Sequence, residues 1–339
     1  MARCSLVRTG LGIVLLSVLG LACGKTSADG PVVGMHAAGG NTAGGNGPGA
    51  NGPSGGGGTH GSLGGAGNFD ELSSVDLTGT PIYTRVQRLT NTQWENAVTD
   101  ILRLKKPPGL TADFVAPLTG ITGFDNNEQV LFVDQQRFPD FESGAEAVAA
   151  LATGSPEALA ALYTGDDAAG FVRVFGRRAF RRPLTADEET KYQAMFALGE
   201  RLYGSGFANG AALVIRAMLE SPYFLYRTEL GPAGDALSAY ELASKLSFWL
   251  LGTTPSDALL DAAAVGNFGD NDSLVATARD MLEDPRAVTV MRDFHGQLLR
   301  VSSLTGISKV GVKEYDPAII PELVLATNAF FDRVFAQNQ

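Results

Sequence analysis

The sequence predicts an all-α protein, an irregular multi-helix bundle that follows a signal peptide and a disordered glycine-rich linker. Apolar residues recur at helical spacing behind three N-capping motifs. Alternating β-branched runs are almost absent, and only Gln129–Val133 suits a short strand. The first 68 residues contain too much glycine for a packed core. These observations set the fold class, and the elements follow in chain order.

The chain begins with an export signal. Arg3 and Arg8 precede the uncharged, largely apolar run Thr9–Ala22. That run has 14 residues, whereas a membrane-spanning helix needs roughly 20 apolar residues. We therefore predict that residues 1–22 are a signal peptide.

Cys23 is the candidate lipidation site. The segment Leu19-Gly-Leu-Ala-Cys23 resembles the lipobox of bacterial lipoproteins. This resemblance implies cleavage before Cys23 and acylation of its thiol and new amino group, and two or more acyl chains give a lasting membrane anchor. No Asp follows Cys23 directly, which favours the outer membrane of a bacterial cell envelope. Ordinary cleavage with release of the chain is the alternative.

Residues 23–68 form the predicted tether. From Gly24 to Asn68, eighteen of 45 residues are glycine, and such a segment has almost nothing to bury in exchange for the entropy of ordering it. A glycine-rich coil of this length spans roughly 35–40 Å. We expect it to hold a globular part clear of the lipid headgroups.

Helical signals continue through the rest of the chain. Capping boxes begin at Thr90, Thr185 and Ser238, and each contributes about 1 kcal/mol. The first helix is expected to include the basic pair Lys105-Lys106, and the third to be central because it is apolar nearly all round. Ser221-Pro222 predicts a helix restart. Further helices are predicted over residues 207–219, 273–283, 286–299 and 321–335.

These signals define three regions after the tether. Residues 69–165 form helical region one, and residues 166–232 form an arginine-rich helical region. Residues 233–339 form helical region two. This last region ends inside an amphipathic pattern without a Gly or Pro stop, so we expect it to continue beyond Gln339.

Composition excludes several classes of function. The net charge is −10, and all but one of the 36 acidic residues lie after residue 68, so general nucleic-acid binding is not expected. The two cysteines, Cys4 and Cys23, both lie near the amino terminus. They cannot form a disulfide scaffold, a thiolate metal site or a haem-attachment motif in the body. We expect no metal site and no cofactor in this chain.

Five arginines within ten residues are the candidate anion-binding group. They alternate with apolar residues at helical spacing, which predicts a buried face and a basic outer face. Guanidinium groups bind carboxylates and phosphates in a bidentate manner. The alternative is pairing with the chain's own acids, among them Asp187, Glu188 and Glu189. The five are Arg173, Arg177, Arg178, Arg181 and Arg182.

Other polar residues give weaker signals. His295 is the single histidine after the tether, and it is either a candidate haem ligand or a satisfied histidine beside the core. The oxygen-rich stretches Gly123–Glu128 and Gly269–Ser273 lack EF-hand spacing, so turns and helix caps explain them better than calcium does. No catalytic constellation is recognisable. A hydrolase would require two carboxylates in one deep cleft.

Several stretches together resemble the planctomycete-type secreted-domain proteins, a family of uncharacterised exported proteins that often accompany cytochrome c-like modules. They follow the family's order over roughly residues 83–339. The stretches are Arg88–Leu102, Gly123–Asn127, Phe175–Thr185, Leu219–Gly231, Leu237–Leu251 and Met281–Arg286. The resemblance implies that this chain is an amino-terminal portion of a longer protein and that any haem lies in a downstream segment.

These observations support three functional hypotheses. The first is an envelope lipoprotein whose helical body is the non-catalytic, partner-binding part of a larger haem-associated assembly. Its partners are the membrane, through the lipid anchor, and a cytochrome c-like module or another envelope protein. The second is a self-contained module that binds an envelope polymer or protein. The third is a hydrolase, which rests on the carboxylates alone.

Overall fold

The computed structural model describes residues 86–116, 123–231, 236–307 and 316–337. Within them the chain forms twelve α-helices, two 3₁₀ turns and one two-stranded sheet, so the all-α prediction is confirmed. The predicted signal peptide, Cys23 and the tether lie outside the described residues. Among the residues that are described, no helix combines the length and apolarity needed to cross a membrane.

The elements occur in the following order. They are β1 (Val86–Arg88), α1 (Asn91–Ile101), a 3₁₀ turn (Leu110–Ala112), α2 (Phe138–Thr153), α3 (Pro156–Leu162), α4 (Ala168–Phe180), α5 (Ala186–Tyr203), α6 (Phe207–Leu219), α7 (Pro222–Leu225), β2 (Tyr226–Thr228), α8 (Ala239–Leu250), α9 (Asp257–Ala264), α10 (Asn271–Leu282), α11 (Pro285–Leu298), a second 3₁₀ turn (Val301–Gly306) and α12 (Ile319–Gln337).

The helix starts lie where the sequence places them. Thr90, Thr185 and Ser238 each accept a hydrogen bond from the backbone of the third helical residue, and that residue's side chain returns to the cap backbone. All three capping boxes are therefore confirmed. Ser221 caps the four-residue helix α7, as its Ser-Pro pair predicts.

The end of α1 differs from the prediction. The helix stops at Ile101, before the lysine pair, because Arg103 adopts a left-handed backbone conformation with φ of 54°. The backbone N–H of Leu104 then donates to Thr99 O at 2.9 Å and that of Arg103 to Asp100 O at 3.2 Å. This Schellman pattern satisfies the last carbonyls of the helix without Gly.

Helix α6 lies at the centre of the main core. Eight of its thirteen residues are buried, and it packs against α2, α4 and α5. The α5–α6 contact depends on two glycines. A methyl group on Gly199 would meet Asn209 O at 2.5 Å, and one on Gly210 would overlap the Phe196 ring. Glycine at these positions lets the two backbones approach closely.

The sheet lies where the sequence did not predict one. β1 and β2 pair antiparallel with Gln87 opposite Arg227, while the predicted strand Gln129–Val133 is a turn followed by irregular chain. Strands of three residues are too short to show alternation. The sheet brings together the residues just before α1 and those just after α7.

Helix α8 joins the main core to a smaller one. Phe248 is buried with the main core, and Ala243 packs with Leu259 and Ala263 of α9. The prediction that this helix is central is wrong on one side, because 59% of the Trp249 surface is exposed. The exposed indole faces a cleft that forms the candidate site.

Candidate functional site

A cleft of about 780 Å³ lies beside α1, α8 and α11. Its walls also include residues 124–126, Arg227 of β2 and the turn after α8. The lining combines aromatic side chains with a small number of amides and carboxyls, a composition typical of ligand sites. Segments from widely separated parts of the sequence therefore meet at one cavity.

Short-range contacts fix the walls of the cleft. The backbone N–H of Asp125 donates to Gln297 Oε1 at 2.9 Å, and the Phe124 and Phe294 rings stack with centroids 5.7 Å apart. These two contacts hold the loop 123–128 against α11. Another hydrogen bond, from Asn96 Nδ2 to Gly252 O at 3.2 Å, joins α1 to the turn after α8.

Two carboxyl groups in the cleft have altered acidity. Burial raises the pKa of Asp125, and hydrogen bonding with Gln297 offsets part of this shift. Partial burial also raises the pKa of Asp293, and the negative charge of Asp125 adds to it. Among the described residues, neither carboxylate makes an ion pair. No cation of the described residues offsets the burial of Asp125, whereas the nearby charge of Arg292 partly opposes the rise in the pKa of Asp293.

His295 also lines the cleft. Its Nδ1 lies 2.7 Å from Met291 O, and since a carbonyl only accepts, Nδ1 carries the proton and donates. The ring centroids of Phe294 and Phe331 each lie 5.2 Å from that of His295. The half-buried imidazole thus has a fixed orientation, with Nε2 as its acceptor nitrogen when neutral.

The short sheet contains two buried arginines. Arg227 is 4% exposed, contacts Gln87 through Nη2 and lies 5.2 Å from the Phe248 ring. Arg88 is 1% exposed and lies 5.1 Å from the Phe141 ring. In both side chains Nε and a second nitrogen are buried without a hydrogen bond in the described part of the chain. Burial lowers the pKa of both, that of Arg88 to about 10.

The arginine run divides between different surroundings. Arg178 binds Asp257 in a bidentate manner through Nε at 3.0 Å and Nη2 at 2.9 Å, and Arg177 Nη2 lies 2.5 Å from Asp261. Arg103, which follows α1, approaches Asp257 at 2.5 Å. Burial opposes ionisation of Asp257, but the Arg178 hydrogen bonds and neighbouring guanidiniums lower its pKa.

The last two arginines of the run, Arg181 and Arg182, follow the end of α4. Arg181 is buried at the left-handed residue that ends α4, so it does not join the predicted basic outer face. It donates to the carbonyls of Tyr223 and Tyr226 at 2.8 Å and to two further carbonyls at 3.2 Å. Arg182 forms a bidentate pair with Glu188 at 2.8 and 2.9 Å.

The five arginines therefore do not converge on one anion site. Arg173 is exposed on the first half of α4. Arg178 lines a separate cavity of about 550 Å³, while Arg181 and Arg182 line one of about 270 Å³. Four of the five bind carboxylates or carbonyls of the chain itself. Anion binding by this run stays a prediction.

The oxygen-rich stretches form turns and caps, as expected. Asp270 caps α10 by accepting from the Ser273 backbone at 2.8 Å, and Asn127 Oδ1 accepts from the Gln129 backbone at 3.1 Å. In residues 86–116, 123–231, 236–307 and 316–337, no group of three or more His, Cys, Asp or Glu side chains is placed to hold a metal ion.

Three models of protein families match the chain. Residues 87–154 match PSD3, a protein of unknown function (DUF1587), and residues 167–229 match PSD5, a protein of unknown function (DUF1595). Residues 237–339 match PSD4, a protein of unknown function (DUF1592). The chain carries three planctomycete-type secreted domains. No curated protein and no solved structure matches it.

The three domains share the cleft. PSD3 contributes α1 and the loop with Asp125, PSD5 contributes Arg227, and PSD4 contributes α8 and α11 with Trp249 and Asp293. Asp257 of PSD4 likewise binds one arginine from each of the other domains. The matched ranges fall one within each of the three predicted helical regions.

Sequence reasoning missed most of this site. It singled out the Gly123–Glu128 stretch and His295, but not Trp249, Phe294 or the Asp125–Asp293 pair. One signal was available, since Asp125 lies in a family-like stretch and Asp293 is two residues from the single histidine of the body. Nothing in the sequence places these two positions, 168 residues apart, in one cavity.

Proposed function

We propose that this chain is a cell-envelope lipoprotein whose helical body is a non-catalytic, partner-binding part of a larger haem-associated assembly. One observation carries the proposal, namely that the three domains together build a cleft of about 780 Å³ with aromatic and polar walls. Such a cavity suits an inserted group of a partner. The lipobox-like segment ending at Cys23 and the glycine-rich tether support attachment to a membrane of the bacterial envelope, which we propose is the outer membrane.

His295 fits this proposal in one respect. Donation from Nδ1 to a backbone carbonyl is the arrangement that orients many metal-ligating histidines. His295 would therefore be the residue of this chain that meets a haem group held by the partner. A haem supplies electron-transfer chemistry when bound, and the cleft residues of this chain serve to hold and orient.

Photo-crosslinking in cells tests the partner role. A photoreactive phenylalanine replaces Trp249 in the cleft or, as a matched control, the exposed Leu202 of α5 (51% exposed). We expect a haem-staining adduct from the position of Trp249 and none from that of Leu202. Equal adducts at both positions, or no haem-staining adduct from the cleft, would overturn the assembly.

The anchor has a separate test. Cys23→Ala removes the acylated thiol, so we expect the chain to move from the membrane fraction to the soluble periplasmic fraction. Cys4→Ala is the control, because Cys4 lies within the predicted signal peptide. Membrane retention of the Cys23→Ala protein would refute lipidation at this residue.

Glycoside hydrolysis is a second candidate, favoured by Asp125 and Asp293. Both carboxyls line one cleft, and the charge of one raises the pKa of the other. Paired carboxyls of unequal acidity serve as acid and base in glycosidases. Release of reducing ends from envelope polysaccharide by the wild type, but not by Asp125→Asn, would favour this function over partner binding.

A further inference from the structure

Two aromatic side chains on the cleft wall are open to solvent. Trp249 is 59% exposed and Phe294 is 46% exposed, although each is large and apolar. The other tryptophan of the chain, Trp94, is fully buried. Exposed aromatic faces in a cavity favour a ligand that covers them.

The uncompensated charge in this cleft is negative. Asp125 and Asp293 have no ion-pair partner among the described residues, whereas Asp100 lies 3.0 Å from Arg286 and accepts from Thr253 Oγ1 at 2.8 Å. Arg286 also binds Asp284 at 2.6 Å. A ligand that enters the cleft therefore meets the carboxylates of Asp125 and Asp293, while the guanidinium of Arg286 is already paired with Asp100 and Asp284.

Arg227 does not turn the cleft into an anion site. Its Nε and Nη1 are fully buried, so the nitrogens without partners do not face the cavity. Its Nη2 is engaged by Gln87, and Nη1 lies 4.0 Å from Glu229. The groups that a ligand reaches are thus aromatic faces, carboxylates, the half-buried imidazole of His295 and the guanidinium of Arg286, which is paired with Asp100 and Asp284.

Aromatic faces combined with carboxylates recognise organic cations. A cation over an aromatic ring is attracted by the negative face of the ring, and the quaternary ammonium group is a well-known ligand of such sites. The same tryptophan already receives a cation, since Lys245 Nζ lies 4.8 Å from its ring centroid. Lys245 itself pairs with Glu229 at 2.7 Å and does not line the cleft.

We propose that the cleft binds an alkylammonium group, held by the carboxylates of Asp125 and Asp293 and covered by the faces of Trp249 and Phe294. This inference deepens the proposed function, because the lysine side chain of a partner carries such a group. A free quaternary ammonium compound is the other source of the same chemistry.

Calorimetry on the full-length protein in detergent tests the proposal with three probes. Choline represents a free quaternary ammonium compound, butylammonium represents a lysine side chain, and 3,3-dimethylbutan-1-ol is the neutral isostere of choline. We expect saturable binding of at least one cation. The neutral alcohol should bind at least roughly tenfold more weakly than that cation. The stronger cation identifies the source. Binding of the alcohol as tight as that of the stronger cation, or no saturable binding of either cation, would overturn the proposal.

Variants assign the binding to this cleft. Asp293→Asn and Asp125→Asn keep the side-chain shape and should each weaken cation binding by roughly tenfold. Asp261→Asn is the control, since Asp261 is 69% exposed and paired with Arg177 outside the cleft. Circular dichroism and thermal unfolding verify that each variant is folded. Unchanged affinity in both cleft variants would refute the site.

The pH dependence gives a second readout. Since the pKa values of Asp125 and Asp293 are raised, cation binding should strengthen as the pH rises through them and these carboxyls ionise. The other charged or titratable groups that line the cleft are Asp100, Arg286, His295 and Arg227, and the charge of Arg292 lowers the pKa of Asp293 in opposition to its burial. His295→Gln separates the contribution of the imidazole. An affinity that does not change with pH in the wild type would contradict the proposal.

The two proposals fail in different ways. A haem-staining crosslink at the position of Trp249 without cation binding would refute the alkylammonium ligand but support the haem-associated partner. Cation binding without any crosslinked partner would refute the haem-associated assembly but support a cleft that binds a small molecule.

Discussion

Asp257 is expected to link the three domains energetically as well as geometrically. Its carboxylate receives three hydrogen bonds from Arg178 of PSD5, at 2.9, 3.0 and 3.2 Å, and lies 2.5 Å from Arg103 of PSD3. The Arg178 side chain is 15% exposed and that of Asp257 36%. Asp257→Asn keeps the shape but turns an amide N–H₂ or a neutral oxygen toward these guanidiniums.

The cost of this change follows from the partial exposure. Charged hydrogen bonds contribute about 1.5–3 kcal/mol when buried, and exposed ion pairs about 0–1 kcal/mol. Because Asp257 lies between these limits, we expect Asp257→Asn to lower the free energy of unfolding by about 1–2.5 kcal/mol. For a body of this size that corresponds to a fall in Tm of roughly 2–10 °C.

The matched control lies on the same helix. Asp261 of α9 forms the same type of pair with Arg177, but its side chain is 69% exposed. Asp261→Asn should therefore cost no more than about 0.5 kcal/mol. Urea denaturation followed by circular dichroism at neutral pH measures both variants. Equal stability of the two would refute the role of Asp257 as a domain link.

Acidification provides an independent check. The pKa of Asp257 in the folded chain lies below its ordinary value of 3.8. The stabilisation is therefore complete well above pH 4 and is lost as the pH falls through the folded-state pKa. The difference between the wild type and Asp257→Asn should shrink toward pH 3. A difference that stays constant from pH 7 to pH 3 would show that ionisation of Asp257 is not its cause.

Three further changes test the packing of the body. Burial, opposed by Arg216, raises the pKa of Glu220 to about 6, so this group stabilises the fold below pH 4.5 and the stabilisation is lost as the pH rises through 6. Glu220→Gln should remove this loss of about 2 kcal/mol. Unfolding curves recorded from pH 4.5 to 7.5 measure it. If the stability of the variant depends on pH as that of the wild type does, the role of Glu220 is refuted. Gly210→Ala places a methyl group against the Phe196 ring. The cost of overpacking should exceed the gain in helix propensity, so the free energy of unfolding measured in urea should fall by about 1–2 kcal/mol. A more stable variant would show that α5 and α6 can separate. Arg181→Lys keeps the charge, but a lysine cannot bind all four carbonyls. The free energy of unfolding should therefore fall by about 2–4 kcal/mol in thermal unfolding. A fall of less than about 1 kcal/mol would show that these hydrogen bonds do not stabilise the fold.

Local chemistry accounts for what the sequence determined about this protein. Thr90, Thr185 and Ser238 predicted their helix starts correctly, because a capping box involves only four neighbouring residues. The all-α class followed from the same short-range patterns. The end of α1 was predicted less well, since Arg103 takes a left-handed conformation that residue type alone does not favour.

Tertiary packing decided the rest. The arginine run indicated a basic helix face, but only the fold could bury Arg181 against the carbonyls of Tyr223 and Tyr226 and pair Arg178 with Asp257, 79 residues away. The cleft depends on still longer separations, since Asp125 meets Gln297 across 172 residues. A charge or an aromatic ring is visible in the sequence, whereas its loss of water and its neighbours exist only once distant helices pack together. For that reason the sequence indicated the helical class and the capped helix starts but not the helices Phe138–Thr153, Pro156–Leu162 and Asp257–Ala264, and only the packed fold shows which side chains share a site.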